Sequence, residues 1–236
     1  MFKNDNSGPD YGFQNNDHDY ILKIIEQFAA YLWAIIFNIR TQNYDLAMEK
    51  IEEVYTGLLY KKGNDIKGLS VAEIIKNNTN GNNIDKENIE IIANLLYQEA
   101  EIIEIINGHN DLSLEYYYKS LKLFFLLMNE TDSNNYNKNI DDNTKKLEYY
   151  EVNNEINFDI YKYYYKNGYF GKAEDKLYHL MEHNYPDIIN EIIKFYDILL
   201  KKEDIELENG NLPRREIIDA NEKFKKVEEN TLYKHD

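Results

Sequence analysis

From residue 21 onward, apolar side chains recur at Ile21, Ile24, Ile25, Phe28, Leu32, Ile35, Ile36 and Ile39. This three-and-four spacing lines one side of an α-helix and does not suit a strand. The same period returns through most of the 236 residues, and only 10 glycines and 3 prolines are present to interrupt it. No stretch combines period-two alternation with turn residues, so the fold class is all-α. The pattern predicts about eight antiparallel helices, over 21–39, 44–59, 85–106, 112–128, 145–166, 171–183, 186–208 and 213–228, with a short extra helix near 70–76. Stops fall at Gly108, at Gly168 and at Asn209-Gly210-Asn211. The division expected is a flexible tail at 1–18, one helical domain over 19–229 and a C-terminal tail at 230–236. Asn-rich inserts at about 61–85 and 129–143 are read as mobile.

Charge and cysteine usage exclude several functions. Lys plus Arg is 27 and Asp plus Glu is 43, a net charge of −16. Phosphate backbones repel such a chain, and its few lysine clusters are interleaved with acids, so no nucleic-acid partner is expected. With no cysteine there is no disulfide framework, thiol nucleophile or thiolate-held metal. Residues 1–19 lack the basic-then-apolar order of a secretory signal. Lys23 and Glu26 interrupt the most apolar stretch, leaving an uncharged run, 27–39, shorter than the roughly 18 residues that a membrane span needs. The expectation is a buried helix in a soluble, cytoplasmic protein with no membrane span.

Three helix–turn–helix units share one internal pattern. It reads Gln42, Tyr44, Ala47, Ile51, Val54 in the first and Gly108, Asn110, Ser113, Tyr117, Ser120 in the second. The third reads Gly168, Phe170, Ala173, Leu177, Leu180. The first position permits a tight turn, the small residue lets two helices approach, and the later positions fill the seam. On these residues the chain resembles tetratricopeptide-like helical-repeat proteins. The Trp-and-Leu signature early in that repeat is absent, and the spacing between units is irregular. The strings 19–28 (DYILKIIEQF) and 206–216 (ELENGNLPRRE) are similar to an uncharacterised bacterial family of tetratricopeptide-like proteins. That resemblance implies an irregular stack of helical hairpins and supplies no activity.

Chemistry-bearing motifs are few. His179-Leu180-Met181-Glu182-His183 is an H-x-x-E-H string whose histidines lie one helical turn apart, a spacing that suits zinc. Helical geometry puts Leu177 and Leu180 on the opposite side, so these histidines face water. Only adventitious metal binding by Asp175, His179 and His183 is expected, with no resident metal or cofactor. Ser113 and Ser120 sit at packing positions, and the G-Y-F-G-K-A segment at 168–173 lacks the spacing of a phosphate loop. No catalytic residue is nominated, and the chain is read as a non-enzyme.

The function expected is a non-catalytic interaction module that takes a peptide or helix of a partner protein on a concave repeat face. Transferring the repeat register places Phe158, Lys162, Tyr165 and Lys166 there, with Glu155. The corresponding positions Leu32, Ile36, Ile39, Leu95, Ile102 and Ile105 read as core. Two other readings stay open: a structural protein forming homo-oligomers by burying its first helix between subunits, and an enzyme with an unrecognised site.

Overall fold

In the computed structural model, which describes residues 12–131 and 134–232, the helical period becomes an all-α fold. The helices are α1 (Gly12–Arg40), α2 (Tyr44–Gly57), α3 (Gly63–Lys67), α4 (Val71–Asn77), α5 (Lys86–Asn107) and α6 (Asp111–Thr131). They continue with α7 (Asn137–Leu147), α8 (Asn154–Lys166), α9 (Phe170–Glu182), α10 (Ile188–Leu199), α11 (Asp204–Asn209) and α12 (Arg214–Leu232). Among the described residues the only sheet is an antiparallel pair of dipeptides, β1 (Thr79–Asn80) and β2 (Asn83–Ile84). The chain divides into two compact units, 1–150 and 151–236.

The three hairpins predicted from the repeat pattern are α1/α2 and α5/α6 in the first unit and α8/α9 in the second. Their turns share one backbone device. Gln42, Gly108 and Gly168 all adopt positive φ, at 61°, 72° and 76°, which turns the chain away from the helix it leaves. Ala47, Ser113 and Ala173, the small residues of the pattern, are fully buried at 0% exposure. With nothing bulkier there, paired helices close until Ile51, Tyr117 and Leu177 and then Val54, Ser120 and Leu180 fill the seam, all buried. Polar caps begin the second hairpin's helices. Asp85 accepts from the Asn88 amide (2.9 Å), and Asn110 Oδ1 from the amides of Leu112 (3.0 Å) and Ser113 (3.1 Å).

Several expected boundaries are corrected. Helix α1 starts at Gly12, inside the segment read as a tail; residues 1–11 and 233–236 of the two tails lie outside the described residues. The insert at 61–85 holds α3, α4 and the β pair, with Ser70 and Glu73 forming a capping box at α4. In 129–143 the polar sequence hides α7, which buries Ile140, Asn143, Thr144 and Leu147 on one side. Tertiary burial overrides weak local propensity there. The helix expected over 145–166 breaks at 148–153, where no glycine or proline occurs. Tyr150 is drawn inward to hydrogen bonds with Ser113 (2.8 Å) and Glu104 (3.4 Å), and Asn153 caps a fresh helix through the Ile156 amide (3.0 Å). The helix expected over 186–208 splits into α10 and α11, because Arg214 bonds the carbonyls of Leu200 and Lys202 that helix continuation would otherwise occupy.

The first helix is also not the buried helix expected. Phe28, Ile35 and Ile39 enter the core, but Leu22, Ile25, Trp33 and Phe37 stay exposed. Tolerating its few charges, the segment Leu22–Arg40 is long and apolar enough to cross a membrane by length and composition, with a mean hydropathy of 1.4 and 17% of it buried. Leu95 and Ile102 are core as expected, whereas Ile105 is 47% exposed.

In the second unit the α11–α12 corner closes on the α8/α9 turn. The Gly171 amide donates to the Gly210 carbonyl (2.9 Å), and a Cβ on Gly210 would stand 2.7 Å from the Gly168 carbonyl and collide with the Phe170 ring. Two substitutions test these packing rules by urea denaturation. Gln42→Gly relieves a left-handed glutamine and should stabilise by about 0.5–1 kcal/mol. Ala173→Leu overpacks the third seam and should cost about 1–3 kcal/mol.

Candidate functional site

The residues nominated from the repeat register lie together on α8 but are already engaged. The ring of Phe158 is half-buried and stacks on Tyr185 at 5.0 Å, with the Lys162 ammonium 4.1 Å from its centroid. Tyr165 packs against Phe170 and edge-on against Phe195. Lys162 and Lys166 are exposed. This face therefore offers cations around a pre-assembled aromatic cluster more than open aromatic anchors. At the other motif, the rings of His179 and His183 stand 4.2 Å apart, and Nδ1 of His183 lies 2.8 Å from the His179 carbonyl. Burial, and then the neighbouring His183, push His179 below its ordinary pKa. Among the described residues no group of three or more His, Asp and Glu is placed to hold a metal ion.

A different site stands out in the first unit. A cleft of about 520 Å³ is lined by Tyr97, Glu104 and Ile105 of α5, His109 of the following turn, Asp142, Lys145 and Lys146 of α7, and Tyr149. Its polar centre is Glu104, whose side chain is 10% exposed. Oε2 accepts from the Tyr117 hydroxyl (2.7 Å) and the Lys146 ammonium (2.7 Å). Oε1 takes Nδ1 of His109 at 2.7 Å and the Tyr150 hydroxyl at 3.4 Å. A carboxylate only accepts, so Nδ1 carries the proton and Nε2 is left facing away from the carboxylate. The imidazole, about half exposed, is stacked on Tyr149 (2° between planes) and edge-on to Tyr150.

Burial alone would raise the Glu104 pKa. The hydrogen bonds from Lys146 and Tyr117 and the charges of Lys146 and His109 outweigh it and hold the carboxyl below its ordinary 4.5. The same contact, after burial, drives the Tyr117 hydroxyl far above its usual pKa, so it remains a donor. Above this fixed centre, Ile105 (47% exposed) and Tyr149 (69% exposed) give an apolar and aromatic rim, and Lys145 projects at its edge. The arrangement can grip one side chain of a partner and satisfy backbone groups around it. Sequence reasoning missed the cleft because its residues span 97–149. A clue was present in Glu104 and His109, five positions apart across the Gly108 turn.

Glu104→Gln should cost about 1–3 kcal/mol at neutral pH, by removing the charge that Lys146, Tyr117 and His109 share and leaving Lys146 only the longer pair with Glu101 at 3.7 Å. A carboxyl with a depressed folded pKa stabilises above its unfolded pKa and loses that contribution as pH falls through the folded value. The gap between wild type and variant should therefore close below pH 4.5, as read by urea unfolding across pH. For the histidine pair, added zinc should leave the melting temperature of wild type and of His179→Ala equal, as read by calorimetry.

The chain matches the model of DUF6483, a family of unknown function, over residues 15–229. No curated protein and no solved structure matches it. The match runs through both units and every hairpin described above, and the chain belongs to the DUF6483 family.

Proposed function

We propose that this protein is a cytoplasmic interaction module, tetratricopeptide-like in the build of its hairpins and without chemistry of its own, which takes a segment of a partner protein into the α5–α7 cleft. The observation that carries this reading is the cleft itself, an apolar and aromatic rim over a polar centre whose hydrogen bonds are made internally. A binding pocket gains from such a centre because Glu104, already shielded from water, need not be desolvated afresh when a partner arrives. The recurring turn and seam of the three hairpins support the repeat comparison. Ser113 is sealed at 0% exposure, which argues against its use as a nucleophile. The net charge of −16 favours partners with basic flanks, whose association weakens with salt.

An enzymatic reading draws on one observation, the carboxylate-oriented imidazole of His109, which is the form of a general base. The two readings separate by mutation. In affinity capture with quantitative mass spectrometry, Ile105→Asp with Tyr149→Ala should remove partners held by wild type. For a purified partner segment the loss should be about 1–3 kcal/mol, roughly five- to 150-fold in Kd. His109→Gln should preserve most of that binding. Identical partners and affinities for wild type and the double variant would overturn the cleft as the binding site.

A further inference from the structure

Leu22, Ile25, Ala29, Trp33 and Phe37 fall along one side of α1, within an arc of about 120° at 3.6 residues per turn. Their exposure is high, at 46% for Leu22, 49% for Ile25, 69% for Trp33 and 50% for Phe37. The Trp33 and Phe37 rings are stacked, 5.4 Å apart and 11° from parallel, so the row presents a preformed aromatic plate. Ala29 lies exposed at its middle. The row has nearly the same plan in both directions from Ala29: Ile25 and Trp33 stand four residues to either side, and Leu22 and Phe37 follow at seven and eight. A surface that reads alike from both ends complements itself through a two-fold axis.

We infer that α1 pairs antiparallel with α1 of a second copy of this chain, about a two-fold axis at Ala29, to form a homodimer. The axis sets Trp33 of each copy on Ile25 of the other, and brings Phe37 to the end of the row, one position beyond Leu22. The small Ala29 meets itself and lets the helices approach. Glu26, a charge within the same arc, comes beside Trp33 of the other copy, whose indole N–H is a donor for its carboxylate. With about 200 Å² for a whole large side chain, the exposed parts of the four apolar residues offer about 400 Å² per copy. Ala29, the Glu26 stem and half-buried Leu32 and Ile36 extend this, so the pair buries roughly 1,000 Å², the lower bound for a specific interface. The dimer therefore dissociates on dilution. A lipid occupant fits less well. Phe28, Ile35 and Ile39 hold the other side of the helix in the core, while a spanning helix offers every side to lipid or to partner helices. The charge of −16 opposes anionic surfaces.

The chain has no cysteine and one tryptophan, which makes both a clean cross-link and a clean optical signal available. In sedimentation equilibrium of the full chain, wild type should move from monomer to dimer with concentration, and its emission should shift to the blue in parallel. Trp33→Glu, at an exposed position, should keep its helicity and remain monomeric. Ala29→Cys should cross-link to itself with a short bismaleimide far faster than Glu222→Cys on exposed α12. Ile25→Cys mixed with Trp33→Cys should give the heterodimeric product faster than either alone. A wild type that stays monomeric to several hundred micromolar, or equal cross-linking at 29 and 222, overturns the inference. A blue shift that appears only on adding phosphatidylcholine vesicles overturns it in favour of a lipid surface.

Discussion

A residue no larger than serine at the crossing of each hairpin is the constraint on which the remaining structure depends. Ala47, Ser113 and Ala173 set how closely two helices run, and that spacing decides which side chains meet across the seam. In the second hairpin the small residues are serines, and their hydroxyls are put to use. Ser120 donates to the Ala93 carbonyl at 2.8 Å and accepts from Asn143 at 3.2 Å, tying α5, α6 and α7 together. Ser113 meets the Tyr150 hydroxyl, which pins the segment that closes the cleft. The cleft is thus a by-product of seam chemistry, since α7 and Tyr149 are held where they are by groups that the close approach of α5 and α6 brings within reach.

A chain this acidic must also place its few cations with care. Lys67 reaches buried Glu99 at 3.0 Å, and nearly buried Lys119 donates to the Lys67 carbonyl at 2.8 Å. Burial still raises the Glu99 carboxyl above its ordinary pKa, against the pull of the Lys67 ammonium and of the Tyr55 hydroxyl beside it. Glu90 and Glu174 are raised by burial as well, despite tyrosine hydroxyls that donate to them. Against these, Glu104 is held down by its donors. The two groups act in opposite directions with pH. The raised carboxyls favour the folded chain in mild acid, and Glu104 favours it above its own titration.

How much of this was legible in the sequence depends on the range of the interactions. The hairpins were legible because turn, small residue and seam lie within about a dozen positions, and Gln42 could be matched to Gly108 and Gly168 by offset alone. α7 was not, since its Asn, Asp and Lys residues carry no helical signal until Ile140, Thr144 and Leu147 find a surface to bury against. The break after α7 was hidden for the same reason, being made by Tyr150 bonding to residues far back in the chain. Periodicity located the apolar sides of α1 correctly. It could not say which side would be covered, because covering is a property of the neighbours. The α8 register was read well enough to bring Phe158 and Lys162 together, but it could not foresee Tyr185 occupying the ring face.

The contact between Gly210 and the α8/α9 turn has a consequence for how the second unit is made. Phe170 opens α9 and is buried, yet part of its cover comes from a backbone carbon forty residues downstream, and the Gly171 amide waits for the Gly210 carbonyl. During synthesis the α8/α9 hairpin can therefore form its own seam early but is finished only when the α11–α12 corner has left the ribosome. Until then one aromatic face and one amide at the turn remain wet. The last two helices act as a latch on an earlier hairpin, so losing the chain's end would loosen a turn that lies far from it in sequence.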